Sequence, residues 1–328
     1  MTSAQPNAQP TGRDNMASRV ATAAVAIPVV VLVIWLGGAW FAAIVAILAG
    51  GSALELSVMA RRWGDRPFVP AAVIWSAGLI VASYLIGREI SSGNVALPWV
   101  SVGAGLGLLW LWRRPLRVIG PSGWLVTVAI VLYTGGLLFH APLLRALDQG
   151  REWVLFLILV TFAADTSALL AGRLAGQHPL APSLSPAKTW EGAAGGAAGA
   201  VVASVAAVYA FGLDAAVWKA VALGAVIGVS GQLGDLFESR LKRTAEVKDS
   251  GWAVPGHGGL LDRLDSIVFN LVVVYYFVAL SALKKALPCP DRPAPSARRR
   301  WTSFEHFPTI SASWGWRRIE ASACWRAR

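Results

Sequence analysis

Residues 235–266 read DLFESRLKRTAEVKDSGWAVPGHGGLLDRLDS. Six of the chain's 18 acidic residues stand here, Asp235, Glu238, Glu246, Asp249, Asp262 and Asp265, beside Arg240, Lys242, Arg243, Lys248 and Arg263. The sequence on either side is almost free of charge. A chain that gathers both signs of charge and a Pro-Gly-His-Gly-Gly turn between long apolar runs reads as a membrane bundle with its chemistry gathered at one end.

Composition agrees. The 328 residues are 55% hydrophobic and 14% charged, with mean hydropathy +0.56, whereas a soluble domain carries roughly 25% charged residues. A spanning helix needs about 20 apolar residues, and the sequence divides into such stretches near 20–37, 39–60, 69–87, 95–112, 123–143, 152–172, 192–212, 215–234 and 265–283. The expected fold is therefore all-α: a polytopic membrane protein of about nine transmembrane helices, with its active site at the cytoplasmic side. Gly37 and Gly38 mark the turn between the first two runs, which together are too long for a signal peptide. Residues 1–19, rich in Gln, Pro, Asn and Thr, read as a disordered cytoplasmic lead, 20–285 as the membrane domain, and 286–328 as a basic Trp- and Arg-rich tail, expected to be disordered.

The net charge of +11 suggests nucleic acid until it is located: about +7 lies from Lys284 onward. No nucleic-acid partner is expected. Cys289 and Cys324 both fall in the tail, so neither a disulfide framework nor a cysteine metal cluster is indicated. Orientation follows from Lys and Arg. Arg61, Arg62 and Arg66 follow the second run, Arg113, Arg114 and Arg117 the fourth, Arg173 and Lys188 the sixth, and the island the eighth. The opposite loops hold little beyond Arg88, Arg145 and Arg151. The amino terminus and the island are thus expected in the cytoplasm, and the protein in the cell (inner or plasma) membrane.

Gly192, Gly195, Gly196 and Gly199, and again Gly224 and Gly228, form small-residue stripes of the kind that let helices approach closely in lipid. They predict a tight bundle around the site, a dimer seam, or plain alanine-rich filling. Two acids interrupt apolar runs, Glu55 and Asp165. A carboxylate at membrane depth faces the bundle interior or a wet cavity. Asp165 is expected near the cytoplasmic opening, and for Glu55 a structural pairing with a basic side chain is expected ahead of a part in catalysis. His140 and His178 carry no signal of a ligand role.

Two segments read as one site. Ser185, Lys188 and Thr189, in SPAKTWEG, offer two hydroxyls and an ammonium just before a helix amino terminus, where phosphate oxygens bind well. In the island, Asp235, Glu238 and Ser239 fall at i, i+3 and i+4 on one helical face, and Asp262 and Asp265 at i and i+3. Carboxylates from facing helix ends suit a Mg²⁺ ion that is also held by substrate phosphates. Lys242, Arg243, Lys248 and Arg263 would meet the remaining phosphate charge, and Gly256, Gly258 and Gly259 around His257 let backbone approach a ligand. Neither a P-loop nor a dinucleotide fingerprint is present. A solvated loop of ordinary ion pairs is the competing reading of the island, but phosphate chemistry at a membrane surface leads.

The run Ser239-x-Leu241-Lys242-Arg243, then Lys248-Asp249-x-Gly251, then Pro255-x-His257-Gly258-Gly259-Leu260-x-Asp262-Arg263-Leu264-Asp265, closely resembles the signature of phosphatidate cytidylyltransferases (CDP-diacylglycerol synthases). Ser185 to Gly192 and Gly234-Asp235-x-x-Glu238-Ser239 resemble further blocks of that family. Val254 and Leu169 depart from the usual pattern without altering a charged group. The resemblance implies the reaction of CTP with phosphatidate to give CDP-diacylglycerol and pyrophosphate, with Mg²⁺, a second, monovalent cation (K⁺) and a homodimer. It implies Asp235 and Asp262 as metal ligands with Asp265 and Glu238 close behind, and Lys188, Lys248 and Arg263 neutralising phosphates. Ser185 and Thr189 would bind phosphate oxygens, with Asp165, Glu191, Ser239, Lys242, Arg243, Gly258 and Gly259 lining the substrates. Asp249 and His257 would orient the island, with a general-base role open to either. Two alternatives stay open: another membrane CTP-dependent enzyme such as a lipid kinase, and, from a different class, a transporter.

Overall fold

The structure, a computed structural model, describes residues 24, 28–92, 120–247, 249–251 and 259–286. Residues 28–36 are helical and end at Gly37, whose backbone has φ 60°. There follow α1 (Gly38–Arg62) and α2 (Val69–Ser92), then α3 (Gly120–Val131), which passes through a π-helical turn, Leu132–Gly136, into α4 (His140–Ala146). Helix α5 (Gly150–Ala175) leads into a hairpin of β1 (Pro179–Ala181) and β2 (Ser185–Thr189). Helices α6 (Trp190–Ala210) and α7 (Val217–Thr244), a short 3₁₀ turn at Leu261–Arg263 and α8 (Asp265–Ala286) complete the order. The described residues up to 278 form one compact unit; of the second unit, 279–328, the described residues are the last turns of α8.

Among the described residues, seven helical stretches are long and apolar enough to cross a membrane. They coincide with the second, third and fifth to ninth runs expected from sequence. The first run is described only in part and the fourth, 95–112, lies outside the described residues, as do 1–19 and 287–328. The surface bears out the class: Ile47, Ile74, Leu125 and Val202 are each at least 67% exposed. Such side chains would be a liability in water, but they form the lipid face of a bundle. Trp190 and Tyr209, at opposite ends of α6, are both largely exposed. Nineteen residues of helix separate them by about 29 Å, close to the roughly 30 Å hydrocarbon thickness at whose edges such rings collect.

Small residues decide how closely the helices pack. A Cβ on Gly196 would stand 2.9 Å from the Ala168 methyl of α5, and one on Gly228 would stand 2.6 Å from the Ala197 Cα of α6. On the next turns of α7, a Cβ on Gly231 would meet the Asn270 amide of α8 at 2.9 Å. The glycine stripes are therefore used within the chain, α5 on α6 and α6 on α7, and Gly231 does the same for α7 on α8. Beneath the site, Asn270 donates to Thr161 Oγ1 at 3.0 Å and accepts from Ser230, a buried polar link joining α5, α7 and α8.

Local signals explain the ends. Thr189 caps α6 by accepting the Gly192 N–H at 3.1 Å. Helix α7 closes with Val247 N–H on Lys242 O and with Glu246 in the left-handed region, φ 55°, a Schellman-type ending that sends the chain back across the site. The two-stranded hairpin was not foreseen; it is short and sits between spans, so the helical character of the bundle stands.

Candidate active site

The hairpin, the end of α7 and the 3₁₀ turn meet at the end of the bundle that also carries Arg61, Arg62 and Arg66. β2 pairs antiparallel with β1, with Ala181 opposite Ser185 and Pro179 opposite Thr189. This presents Lys188 beside α7, where its ammonium pairs with the Asp235 carboxylate. Ser239, one turn on, donates to Asp235 Oδ1 at 3.4 Å. Arg243 Nε donates to the Leu184 carbonyl at 3.2 Å, a second tie between α7 and the hairpin.

A second cluster lies deeper. Lys242 Nζ is 2.7 Å from Asp262 Oδ1 and 3.1 Å from Glu238 Oε1. Glu238 is fully buried, and among the described residues neither of its oxygens makes a well-aligned hydrogen bond. Asp262 Oδ2 accepts the N–H groups of Ser250 (3.0 Å) and Gly259 (2.9 Å). Burial pushes the Asp262 carboxyl up, but the Lys242 ammonium and these two backbone donors outweigh it and hold the group well below the usual carboxylate range. Asp265, at the start of α8, accepts its neighbour Ser266 N–H at 2.6 Å. Asp165 of α5, Asp235 and Asp265 lie within electrostatic reach of one another.

Two expected residues are occupied otherwise. Glu191 binds the His178 ring at 2.5 Å and accepts the N–H groups of Gln177 and His178, at 3.2 and 3.3 Å. It pins the hairpin's entry, and His178 has a structural partner. The Thr189 oxygen is engaged in capping, which leaves its O–H and one lone pair for other partners. Asp249 and Arg263 are exposed beside the loop. Lys248, His257 and Gly258 lie outside the described residues, as do Pro255 and Gly256.

Glu55 has partners other than a basic side chain among the described residues: the N–H groups of Leu260 and Leu261, both at 2.9 Å, and the Ser250 hydroxyl at 3.1 Å. The start of a 3₁₀ turn offers unpaired N–H groups that a carboxylate satisfies as well as a lysine would satisfy the carboxylate. Tyr133 was missed altogether. It sits in the π turn, its ring 5.2 Å from Phe237 and 6.3 Å from Phe269, and its buried hydroxyl has no hydrogen-bond partner among the described residues. It lies within electrostatic reach of Glu238, Asp265 and Asp235. A tyrosine beside a Gly-Gly pair was the only sequence signal, and a π turn marking a functional site is a known tendency.

Whether Mg²⁺ suits these residues can be judged from the donors. Among the described residues, no three acidic or histidine side chains form a closed set of metal ligands. Five acids (Asp165, Asp235, Glu238, Asp262 and Asp265) nevertheless stand near two lysines, and among the described residues the buried Glu238 oxygens make no well-aligned hydrogen bond. An excess of carboxylate without a full cage fits an ion that takes one or two protein ligands and completes its shell with phosphate and water.

The profile of the cytidylyltransferase family matches residues 17–281. Phosphatidate cytidylyltransferase of Staphylococcus saprophyticus is 42% identical over 124 residues, 38% of this chain and 48% of the relative. Its Staphylococcus haemolyticus counterpart is 40% identical over the same length and the same shares. The Escherichia coli protein YnbB is 38% identical over 181 residues, 52% of this chain and 60% of that one. The chain thus spans about half the length of the curated staphylococcal relatives it matches. The family profile, by contrast, runs from before the first described helix to within α8 and takes in the hairpin, the end of α7 and the loop that bring Lys188, Asp235, Lys242 and Asp262 together; the chain belongs to the cytidylyltransferase family.

Proposed function

We propose that the protein is a membrane-embedded phosphatidate cytidylyltransferase that converts CTP and phosphatidate to CDP-diacylglycerol and pyrophosphate, a step of phospholipid synthesis. A phosphate oxygen of phosphatidate attacks the α-phosphorus of CTP in line. The bond from that phosphorus to the bridging oxygen breaks, and the electron pair leaves with pyrophosphate. No protein nucleophile is required, so catalysis is positioning and neutralisation of charge.

The observation that carries the reading is the pairing of Lys188 with Asp235 and of Lys242 with Glu238 and Asp262 at one end of the bundle. Each lysine stands beside the acids and can reach a phosphate with a change of rotamer. Asp235 and Asp262 would hold Mg²⁺, with Asp265 and Glu238 close behind. When bound, the ion supplies charge neutralisation on the phosphates and the leaving pyrophosphate. Lys188, Lys248 and Arg263 would neutralise the rest, and Ser185 would donate to a phosphate oxygen. The excess of Lys and Arg at the site's end of the helices supports a cytoplasmic site in a cell membrane. A homodimer and a second, monovalent cation are part of the same proposal.

Purified protein in detergent, given CTP, phosphatidate and Mg²⁺, should release pyrophosphate and form CDP-diacylglycerol. Chelation should stop turnover and added Mg²⁺ restore it. Formation of CDP and a phosphorylated alcohol, or turnover that persists in chelator, would overturn the reading or its metal.

A further inference from the structure

We propose that Glu55, on the second of the expected spans and far from the island in sequence, is a positioning residue that holds the site loop and thereby sets Asp262. The proposal rests on the cytidylyltransferase reading of the site. A carboxylate about 10 Å down α1 from Arg62, seven residues at 1.5 Å each, is costly unless its oxygens are satisfied. Glu55 is 9% exposed. Among the described residues its partners are donors from the loop and the 3₁₀ turn: Leu260 N–H on Oε1, and Leu261 N–H and the Ser250 hydroxyl on Oε2.

Ser250 is the shared node. Its hydroxyl goes to Glu55 and its N–H to Asp262 Oδ2. Glu55 and Asp262 thus divide between them the donors at both ends of the loop, Ser250 where it enters and Gly259, Leu260 and Leu261 where it leaves. The described ends of the loop, Gly251 and Gly259, lie close against the carboxylate. A Cβ on Gly259 would stand 2.7 Å from Glu55 Oε2, and one on Gly251 would stand 2.6 Å from Glu55 Cδ. Only glycine permits that approach at either position. Asp262 follows Leu261 directly, so the two N–H groups that Glu55 holds fix the backbone from which the Asp262 side chain projects. A change at Glu55 is therefore felt at the acid that Lys242 binds, although Glu55 itself need not touch substrate.

The test compares the full-length protein with E55Q, E55A and S250A in one detergent, using hydrogen exchange across residues 249–264 and steady-state pyrophosphate release. E55Q should speed exchange at Leu260 and Leu261 and lower kcat by about 10- to 100-fold, as changes to supporting partners do, with the KM for CTP within about twofold of wild type. E55A should lose more, and S250A, which removes one of the three bonds, should lose less in the same direction. If the Glu55 variants do not fold, S250A decides alone. Wild-type kcat per folded molecule in E55Q and S250A would overturn the proposal, as would unchanged exchange at Leu260 and Leu261. If the wild-type protein releases no pyrophosphate, the reaction reading fails by itself. Exchange in the variants then decides the clamp: faster exchange supports it and unchanged exchange overturns it.

Discussion

The Lys188 ammonium and the Asp235 carboxylate form an ion pair that ties the second strand of the hairpin to the last turns of α7. Their side chains remain 23% and 34% exposed, so water screens the pair and its worth to stability is at most about 1 kcal/mol. The same exposure leaves both groups open to a ligand. Lys188→Ala should therefore barely move the melting temperature in detergent but lower kcat/KM for CTP at least about 100-fold, the scale of a lost charge contact to a reacting phosphate. A parallel loss of stability and activity would mean that the pair is structural.

Asp262 carries three donors and is held in the charged form. Asp262→Asn removes the charge that Lys242 meets and one acceptor of the loop, and should lower turnover at least about 100-fold while the protein remains folded. Near-normal turnover would remove Asp262 from the metal assignment. Because its folded carboxyl titrates lower than in an unfolded chain, its stabilisation is fully present above the ordinary value of about 3.9 and is lost as pH falls through the lower folded value. Loop protection against hydrogen exchange, corrected for intrinsic rates, should thus hold at pH 5 and fail only in stronger acid.

Tyr133 has no hydrogen-bond partner for its buried hydroxyl among the described residues, a group that otherwise costs roughly 1–3 kcal/mol. Tyr133→Phe should keep or slightly raise the melting temperature. If the hydroxyl faces the acids for the sake of substrate or bound water, turnover should fall about tenfold, the loss of one hydrogen bond of about 1.4 kcal/mol. Unchanged turnover would assign the ring to packing on Phe237 and Phe269 alone.

Gly228 lies against the Ala197 backbone, so a side chain there must push α6 from α7. Gly228→Leu should cost about 1–3 kcal/mol or more and reduce the yield of folded protein. Gly78 has nothing within 4 Å of an added Cβ, and Gly78→Ala should be neutral or stabilising. Equal melting temperatures for Gly228→Leu and Gly78→Ala would contradict the close packing of α6 on α7.

Much of this protein was legible in the sequence because its signals are local. Run length and apolarity set the membrane helices, and the seven described spans coincide with expected ones. The i, i+3 and i+4 spacing put Asp235, Glu238 and Ser239 on one turn of α7, and the basic residues marked the end of the bundle where the site lies. Glu191 and Thr189 were harder. Hairpin and cap engage their oxygens in the structure, and no spacing rule says which of two nearby donors an oxygen will take.

The sequence alone determined that the chain is a helical membrane bundle with its charged residues gathered in the island, since hydropathy and carboxylate spacing act over one or two helical turns. Tertiary structure alone decided that Lys188 meets Asp235, that Lys242 spans Glu238 and Asp262, and that Glu55 holds Ser250, Leu260 and Leu261. Those contacts join residues far apart in sequence. They depend on how closely glycine lets the helices and loops approach, and only the packed bundle sets that distance.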